Sequence, residues 1–110
     1  MKIEAIVGPS RLEEVKRVLS HQWVAGLTVT EVKGASGGGS VGRYRGAEGP
    51  ADLVPLLRVE IVVPAPLLPR LLHDLARWLR TGRGDDGLLV VGPVEEAVRV
   101  RTGERGEGAL

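Results

Sequence analysis

The sequence predicts a single α+β domain in which two helices cover one face of a four-stranded antiparallel sheet. Three observations indicate this fold class. The chain has 110 residues, of which 43% are hydrophobic and 26% charged, and this suits one globular domain with one core. Apolar residues recur with a period of two in some segments and with a helical period in two others. These segments alternate along the chain as β-α-β, a long glycine-rich interruption, and β-α-β.

The first half of the chain predicts a strand, a helix and a second strand. Lys2–Val7 alternates apolar and polar residues, and Gly8 ends this pattern. A Ser-x-x-Glu capping box that begins at Ser10 predicts a helix from that residue to about His21. Leu27–Lys33 alternates again and predicts the second strand.

The second half repeats this order of elements. Leu56–Val63 is rich in β-branched residues and predicts a third strand, which prolines end. A leucine stripe at helical spacing predicts a helix over Leu67–Leu79. Leu88–Val91 predicts a short fourth strand, and Pro93–Glu96 suggests one helical turn.

The end of the chain predicts an extended segment followed by a mobile tail over residues 103–110. Ala97–Thr102 alternates once more, which places Arg99 and Arg101 on one face of a strand. Two neighbouring arginines suit a phosphate, because each guanidinium can donate two parallel hydrogen bonds. The alternative is that both arginines belong to a solvated strand face and pair with acidic side chains.

The whole order is β-α-β-loop-β-α-β, which is the split, ferredoxin-like arrangement, and we expect residues 1–110 to form one such domain. The third strand is too apolar to face water on both sides, so the uncovered sheet face is expected to pair with other subunits. The loop between the second and third strands covers residues 34–50. Structureless loops longer than about 12–15 residues are usually functional or disordered.

Composition argues against several classes of protein. The formal net charge of +1 gives no electrostatic reason to expect a nucleic-acid partner or direct binding to an anionic membrane. The chain has no cysteine, so disulfides, thiol nucleophiles and thiolate metal sites are excluded. Glu4 interrupts the first apolar run, and no run approaches the roughly 20 residues of a membrane span. We therefore expect a cytoplasmic protein.

Three short runs of sequence carry a family resemblance. They are Thr28-Val29-Thr30-Glu31-Val32-Lys33-Gly34, Tyr44-Arg45-Gly46-Ala47-Glu48 and Arg99-Val100-Arg101-Thr102-Gly103-Glu104, supported by Thr81-Gly82 and Asp86-Gly87. In these runs, and in the order of every element, the chain resembles the PII nitrogen-regulatory signal-transduction family. The resemblance covers nearly the whole chain.

The resemblance implies a homotrimeric regulator and not an enzyme, with no catalytic residues and no required cofactor. We expect no metal site, because the glycines at the start of the loop supply no metal ligand. Members of the family sense adenine nucleotides, and often 2-oxoglutarate, in clefts between subunits. Their long loop docks into transporters, metabolic enzymes or kinases. The expected target here is a transporter or a metabolic enzyme, and membrane association would be indirect, through a transporter.

The resemblance also implies which residues bind. Thr28 and the strand backbone at Glu60–Val62 would hold the base, whereas the loop start, the Thr81–Leu88 turn and the two arginines would hold phosphates. The implied nucleotide-binding set is Thr28, Gly34, Ala35, Ser36, Gly37, Glu60, Ile61, Val62, Asp86, Gly87, Arg99 and Arg101. The implied partner-docking part of the loop is Tyr44, Arg45, Gly46, Ala47 and Glu48.

Four departures from the family pattern change the expected ligand. Gly49 stands where the family has its modifiable tyrosine, so uridylylation or adenylylation at that position is chemically impossible. The loop start Ser36–Gly39 lacks the family's arginine and glutamine, and Leu56 replaces a lysine that commonly meets 2-oxoglutarate. The turn Asp85–Leu88 loses a lysine and gains an acid, which costs free energy beside a phosphate. We therefore expect ADP or AMP to be favoured over Mg-ATP with 2-oxoglutarate, with ATP still an allowed ligand.

A ferredoxin-like trimer that binds a different small ligand or a divalent metal ion is the alternative. A divalent-cation-tolerance type of protein is the nearest rival, but His21 and His73 are far apart on helices. An RNA-binding domain would stack bases on strand aromatics, and the chain has no Phe. An acylphosphatase-like enzyme would be expected to use an asparagine, which the chain lacks. The acidic turn residues Asp85 and Asp86 have no nucleophile at an interpretable spacing, so catalysis is not expected.

Overall fold

This computed structural model describes residues 1–24, 26–35, 53–82 and 87–110. These residues include four strands and two α-helices. In chain order they are β1 Lys2–Val7, α1 Leu12–His21, β2 Thr28–Gly34, β3 Val54–Val62, α2 Leu68–Leu79 and β4 Leu88–Gly92. The strands form one antiparallel sheet in the order β2-β3-β1-β4. The predicted α+β, ferredoxin-like fold class is therefore confirmed.

The core lies between the sheet and the two helices. Every second residue of the central strands β1 and β3 is buried, as the period-two pattern requires. The buried strand residues are Ile3, Ala5, Val7, Leu57, Val59 and Ile61, and the helices add Val15, Val18, Leu19, Leu71, Leu75 and Leu79. Burying one such aliphatic side chain contributes about 1.5–3 kcal/mol, so this layer supplies the main driving force for folding.

Helix α1 begins two residues later than predicted and α2 one residue later, and prolines explain the difference. Pro9–Arg11 forms a 3₁₀ turn, so α1 begins at Leu12, and no side-chain hydrogen bond caps either turn or helix. Ala65–Leu67 likewise forms a 3₁₀ turn before α2. A proline in the first turn fixes φ and has no N–H to donate, and both conditions suit the short, tight 3₁₀ turn. Ser10 of the predicted capping box therefore lies in the 3₁₀ turn before the helix and does not cap the helix.

The predicted extended segment over Ala97–Thr102 is also wrong. Residues 97–106 instead fold back on themselves, because the N–H of Arg99 donates to the carbonyl of Glu104 at 2.8 Å and the N–H of Gly103 donates to the carbonyl of Arg99 at 2.7 Å. Gly103 has a φ of +77°, a conformation that glycine adopts without strain. Arg101 lies in the turn, so the two arginines do not share a strand face. Pro93–Glu96 contains a bend and no helical turn.

The C-terminal segment, residues 97–110, is held together by hydrogen bonds among its own residues. Its last turn is a 3₁₀ helix over Gly106–Ala109, and Ala109 is buried. These contacts do not measure motion, so the mobility of residues 103–110 stays a prediction.

One face of the sheet carries a charged network in place of a helix. Glu4 and Glu60 lie directly opposite each other on β1 and β3, which places two negative charges together. The Nζ atom of Lys2 lies 3.5 Å from Oε2 of Glu4 and 3.3 Å from Oε2 of Glu60. Arg58 adds a longer contact, 3.8 Å from Nε to Oε2 of Glu60. Pairing of this face with other subunits stays a prediction.

Neither α-helix is suited to cross a lipid bilayer. The longer of the two, α2, has 12 residues, and a search of the described residues finds no helix long and apolar enough to span a membrane.

Gly87→Ala should destabilise the domain more than Gly103→Ala does. At Gly87 φ is +116° and an added Cβ would lie 2.6 Å from the carbonyl oxygen of Ile6, so alanine brings backbone strain and a steric overlap. At Gly103 the same atom would have no heavy-atom neighbour within 4 Å, so its variant carries the strain alone. We expect a loss of about 1–2 kcal/mol for Gly103→Ala and about 1–3 kcal/mol more for Gly87→Ala, measured by urea unfolding. Equal losses would contradict the close approach of β4 to β1.

Candidate functional site

A groove of about 930 Å³ lies at the end of the sheet where β2 begins and β3 ends. Its walls come from the α1–β2 connection, from the paired ends of β1, β2 and β3, and from the C-terminal segment. Four members of the predicted nucleotide-binding set line it, namely Thr28, Glu60, Val62 and Arg99. A concave site of this size, with mixed apolar and polar walls, is the usual setting for a small ligand.

Strand register brings the first three of these residues together. Thr28 lies opposite Glu60 in the β2–β3 pair, and Val62 lies opposite Lys2 in the β3–β1 pair. Because Glu60 and Val62 are two positions apart on one strand, their side chains point to the same face. The ammonium of Lys2 lies between the carboxylates of Glu4 and Glu60 and supplies positive charge beside the groove.

The fourth residue, Arg99, enters from the C-terminal segment. Its Nε donates a hydrogen bond of 2.9 Å to the carbonyl oxygen of Ala109, which attaches the last 3₁₀ turn to the residues 97–106 that fold back. Glu107 and Leu110 of this turn also line the groove. This hydrogen bond uses one of the five N–H donors of the Arg99 guanidinium.

Four of the remaining described members of the predicted set lie away from this groove. Gly34 and Ala35 are at the far end of β2, and Gly87 precedes β4 near the end of β1, so all three lie at the opposite end of the sheet. Arg101 is exposed in the turn outside the groove. The side chain of Ile61 is buried in the core, which leaves only its backbone for a ligand.

Several predicted residues lie outside the described residues. These are Ser36, Gly37 and Asp86 of the nucleotide-binding set and Tyr44, Arg45, Gly46, Ala47 and Glu48 of the docking loop. Their assignments stay predictions.

Among the groove residues that the sequence did not indicate, Lys2 and Trp23 matter most for the chemistry of the groove. Lys2 was assigned only to a strand, although its spacing to Glu4 places both on one strand face. Antiparallel pairing of the first and third strands would have indicated a contact with Glu60. The position of Trp23 at the groove follows from the way α1 ends, which no sequence pattern indicated.

The histidines do not form a metal site with other side chains in the ranges that the structure describes, where no group of three or more His, Cys, Asp or Glu could hold an ion. His21 contacts the backbone carbonyl of Arg17, and His73 contacts the neighbouring Asp74. Both histidines are exposed on their helices.

The fold and the groove define a small ferredoxin-like domain with a concave groove at one end of its sheet. Comparison with known proteins is more specific. The family profile described as Nitrogen regulatory protein P-II matches residues 1–104. Proteins named Nitrogen regulatory protein P-II are similar to this chain over its whole length. The one from Azospirillum brasilense is 44% identical over 110 residues, which cover 99% of this chain and 98% of that protein.

Further relatives have the same name and the same coverage of 99% of this chain. They are the proteins from Bradyrhizobium diazoefficiens, which is 44% identical, and from Haemophilus influenzae, which is 39% identical. The chain therefore belongs to the P-II family of nitrogen regulatory proteins.

Arg99→Ala should loosen the C-terminal wall of the groove, whereas Arg101→Ala should not. A hydrogen bond such as that from Arg99 to Ala109 contributes about 0.5–1.5 kcal/mol, so its loss should speed local amide exchange about 2- to 12-fold. The amide protons of Gly106 and Leu110 report on this, because both donate to backbone carbonyls of the same segment. Arg101→Ala removes the same charge two residues away and is the matched control. Unchanged exchange in Arg99→Ala would mean that this contact does not hold the wall.

Proposed function

We propose that this P-II family protein is a homotrimeric regulator that binds an adenine nucleotide between subunits and controls a protein of nitrogen or carbon metabolism. ADP or AMP is favoured over Mg-ATP with 2-oxoglutarate. The loop over residues 34–50 docks into the target, which is a transporter or a metabolic enzyme. The observation that supports this most is that Thr28, Glu60, Val62 and Arg99 converge on one groove.

The distribution of the implied binding residues favours a site between copies. Within one chain, Gly34 and Thr28 are six residues apart on β2, which corresponds to about 20 Å. Gly87 lies at the same far end of the sheet as Gly34. A nucleotide whose base occupies the groove must therefore find its glycine-rich phosphate site on a second copy.

The far end of the sheet has apolar side chains where family members have lysines. The side chain of Leu56 packs against Gly34, with Cδ1 at 3.0 Å from the position of a Cβ at that glycine. Leu88, directly after Gly87, is an exposed apolar residue. Neither side chain can neutralise a carboxylate or a γ-phosphate, so the preference falls on ligands with fewer charges.

The proposed regulator acts without catalysis and without modification of the loop at Gly49. Its output is the docking of residues 34–50, and Gly34 is both the last residue of β2 and the first of this loop. Ligand contacts at Gly34 would therefore lie next to the segment that meets the target.

Calorimetry tests the ligand preference. We expect ADP and AMP to bind, and we expect Mg-ATP to bind more weakly and to gain nothing from 2-oxoglutarate. Arg101→Ala should weaken ADP about tenfold or more, since a charge-assisted hydrogen bond to phosphate is lost. Arg70→Ala is the control, because this exposed arginine lies on α2, and its loss changes the net charge equally.

Three results would contradict the proposal in different ways. Tight Mg-ATP binding that 2-oxoglutarate strengthens would contradict the preference but keep the nucleotide site. A lack of heat with all three nucleotides, under conditions in which the protein is folded by circular dichroism, would contradict nucleotide sensing itself. If Arg70→Ala and Arg101→Ala weakened ADP binding equally, the effect of Arg101 would come from net charge and not from a specific contact.

A further inference from the structure

Trp23 is a largely exposed aromatic side chain at the rim of the groove. It is 93% exposed, whereas Trp78, the second tryptophan of the chain, is 54% exposed and lies under the guanidinium of Arg77 at 5.6 Å from the ring centre. Trp23 lines the same groove as Thr28 and Glu60. An indole in water contributes nothing to the core, so its presence at this place calls for a reason.

The backbone at Trp23 has a conformation that suits glycine. Its φ is 61°. Two hydrogen bonds hold the backbone in this conformation. The N–H of Val24 donates to the carbonyl of Leu19 at 3.0 Å, and the N–H of Trp23 donates to the carbonyl of Ser20 at 3.2 Å. This is the Schellman arrangement, in which the residue after the helix cap is left-handed and usually glycine. Val24 packs against the core and anchors the motif. A bulky side chain at position 23 therefore works against local stability.

We infer that Trp23 is a ligand-binding residue whose indole stacks on the flat ring of a nucleobase held in the groove. This inference rests on the proposed nucleotide site and adds to it a residue that no sequence motif indicated. A strained residue that the fold does not need is most economically explained by a function. Tryptophan offers a large, rigid aromatic face at a low cost in conformational entropy, and a base can stack on it.

The other walls of the groove complement a nucleobase. Leu27 and Val62 supply aliphatic surface, and the Thr28 hydroxyl and the Glu60 carboxylate supply polar groups for the edge of the ring. A heteroaromatic ring has both properties, because its faces are apolar and its edge forms hydrogen bonds. A purely aliphatic ligand would match the aliphatic walls but would form no hydrogen bond with these polar groups.

Three substitutions separate the ring from the backbone. Trp23→Ala and Trp23→Gly both remove the indole, but only glycine relieves the left-handed conformation. We expect both to raise the Kd of ADP about 5- to 100-fold, and Trp23→Phe to stay within about threefold of the unmodified protein. The Tm of Trp23→Gly should be about 4–8 °C higher than that of Trp23→Ala, because glycine relieves the backbone strain and alanine does not. Ribose 5-phosphate, which has no base, should bind all four proteins equally.

Fluorescence gives an independent readout. In the Trp78→Phe variant Trp23 is the sole tryptophan. Addition of ADP should quench its emission or shift it to shorter wavelength, with a midpoint equal to the Kd from calorimetry, and ribose 5-phosphate should leave the emission unchanged.

The outcomes distinguish this inference from the proposed function. Equal ADP affinity in the unmodified protein and in Trp23→Ala would overturn the role of Trp23 and leave the nucleotide site standing. A lack of ADP binding to the unmodified protein would overturn both. A change of oligomeric state in Trp23→Ala, seen by size-exclusion chromatography, would mean that a second copy of the chain covers the indole and would also overturn the inference.

Discussion

The antiparallel pairing of β3 with both β2 and β1 is the constraint on which the fold and the groove depend. Its register sets Thr28 opposite Glu60 and Lys2 opposite Val62, which brings residues from distant parts of the chain to one end of the sheet. The same register sets Glu4 opposite Glu60, and Lys2 offsets this like-charge pair by contacting both carboxylates. A slip by one residue would turn these charges into the core. Burial of the other strand face therefore fixes the geometry of the groove.

The sequence predicts the elements whose apolar residues recur with a regular period. It does not predict the segments whose backbone path is determined by individual hydrogen bonds. The alternation over the strands and the leucine stripe of α2 both reflect burial of apolar side chains, and the fold class could be predicted from these two patterns. The pattern around Arg99 and Arg101 also alternates, yet a turn closed by Gly103 overrides it. Alternation records which side chains are apolar and contains no information on where the backbone reverses. The contact of Arg99 with Ala109, which forms one wall of the groove, was for this reason beyond sequence reasoning.

In the role inferred for it, Trp23 would illustrate how local stability and ligand binding favour different residues at one position. Helix α1 ends where Val24 returns to the core, and this return requires a left-handed residue between cap and core. Glycine would satisfy that requirement without strain, and most of the surrounding sequence agrees with its local structure. Positions at which a sequence departs from the locally preferred residue are expected at functional sites. The departure at Trp23 coincides with the mouth of the groove, whereas the left-handed residues Gly82 and Gly103, which are away from it, are glycines.

The proposed site, divided between copies of the chain, would couple ligand binding to assembly. The groove with Thr28 and the glycine end with Gly34 and Gly87 lie at opposite ends of one sheet, so a nucleotide that contacts both bridges two chains. Such a ligand has a higher affinity for the assembled protein than for the separate chain, and by linkage its binding stabilises the assembly. The same geometry places each glycine end next to the start of a loop at Gly34. The loop of one copy would then respond to a base held by its neighbour, so the assembly as a whole would report the ligand to the target.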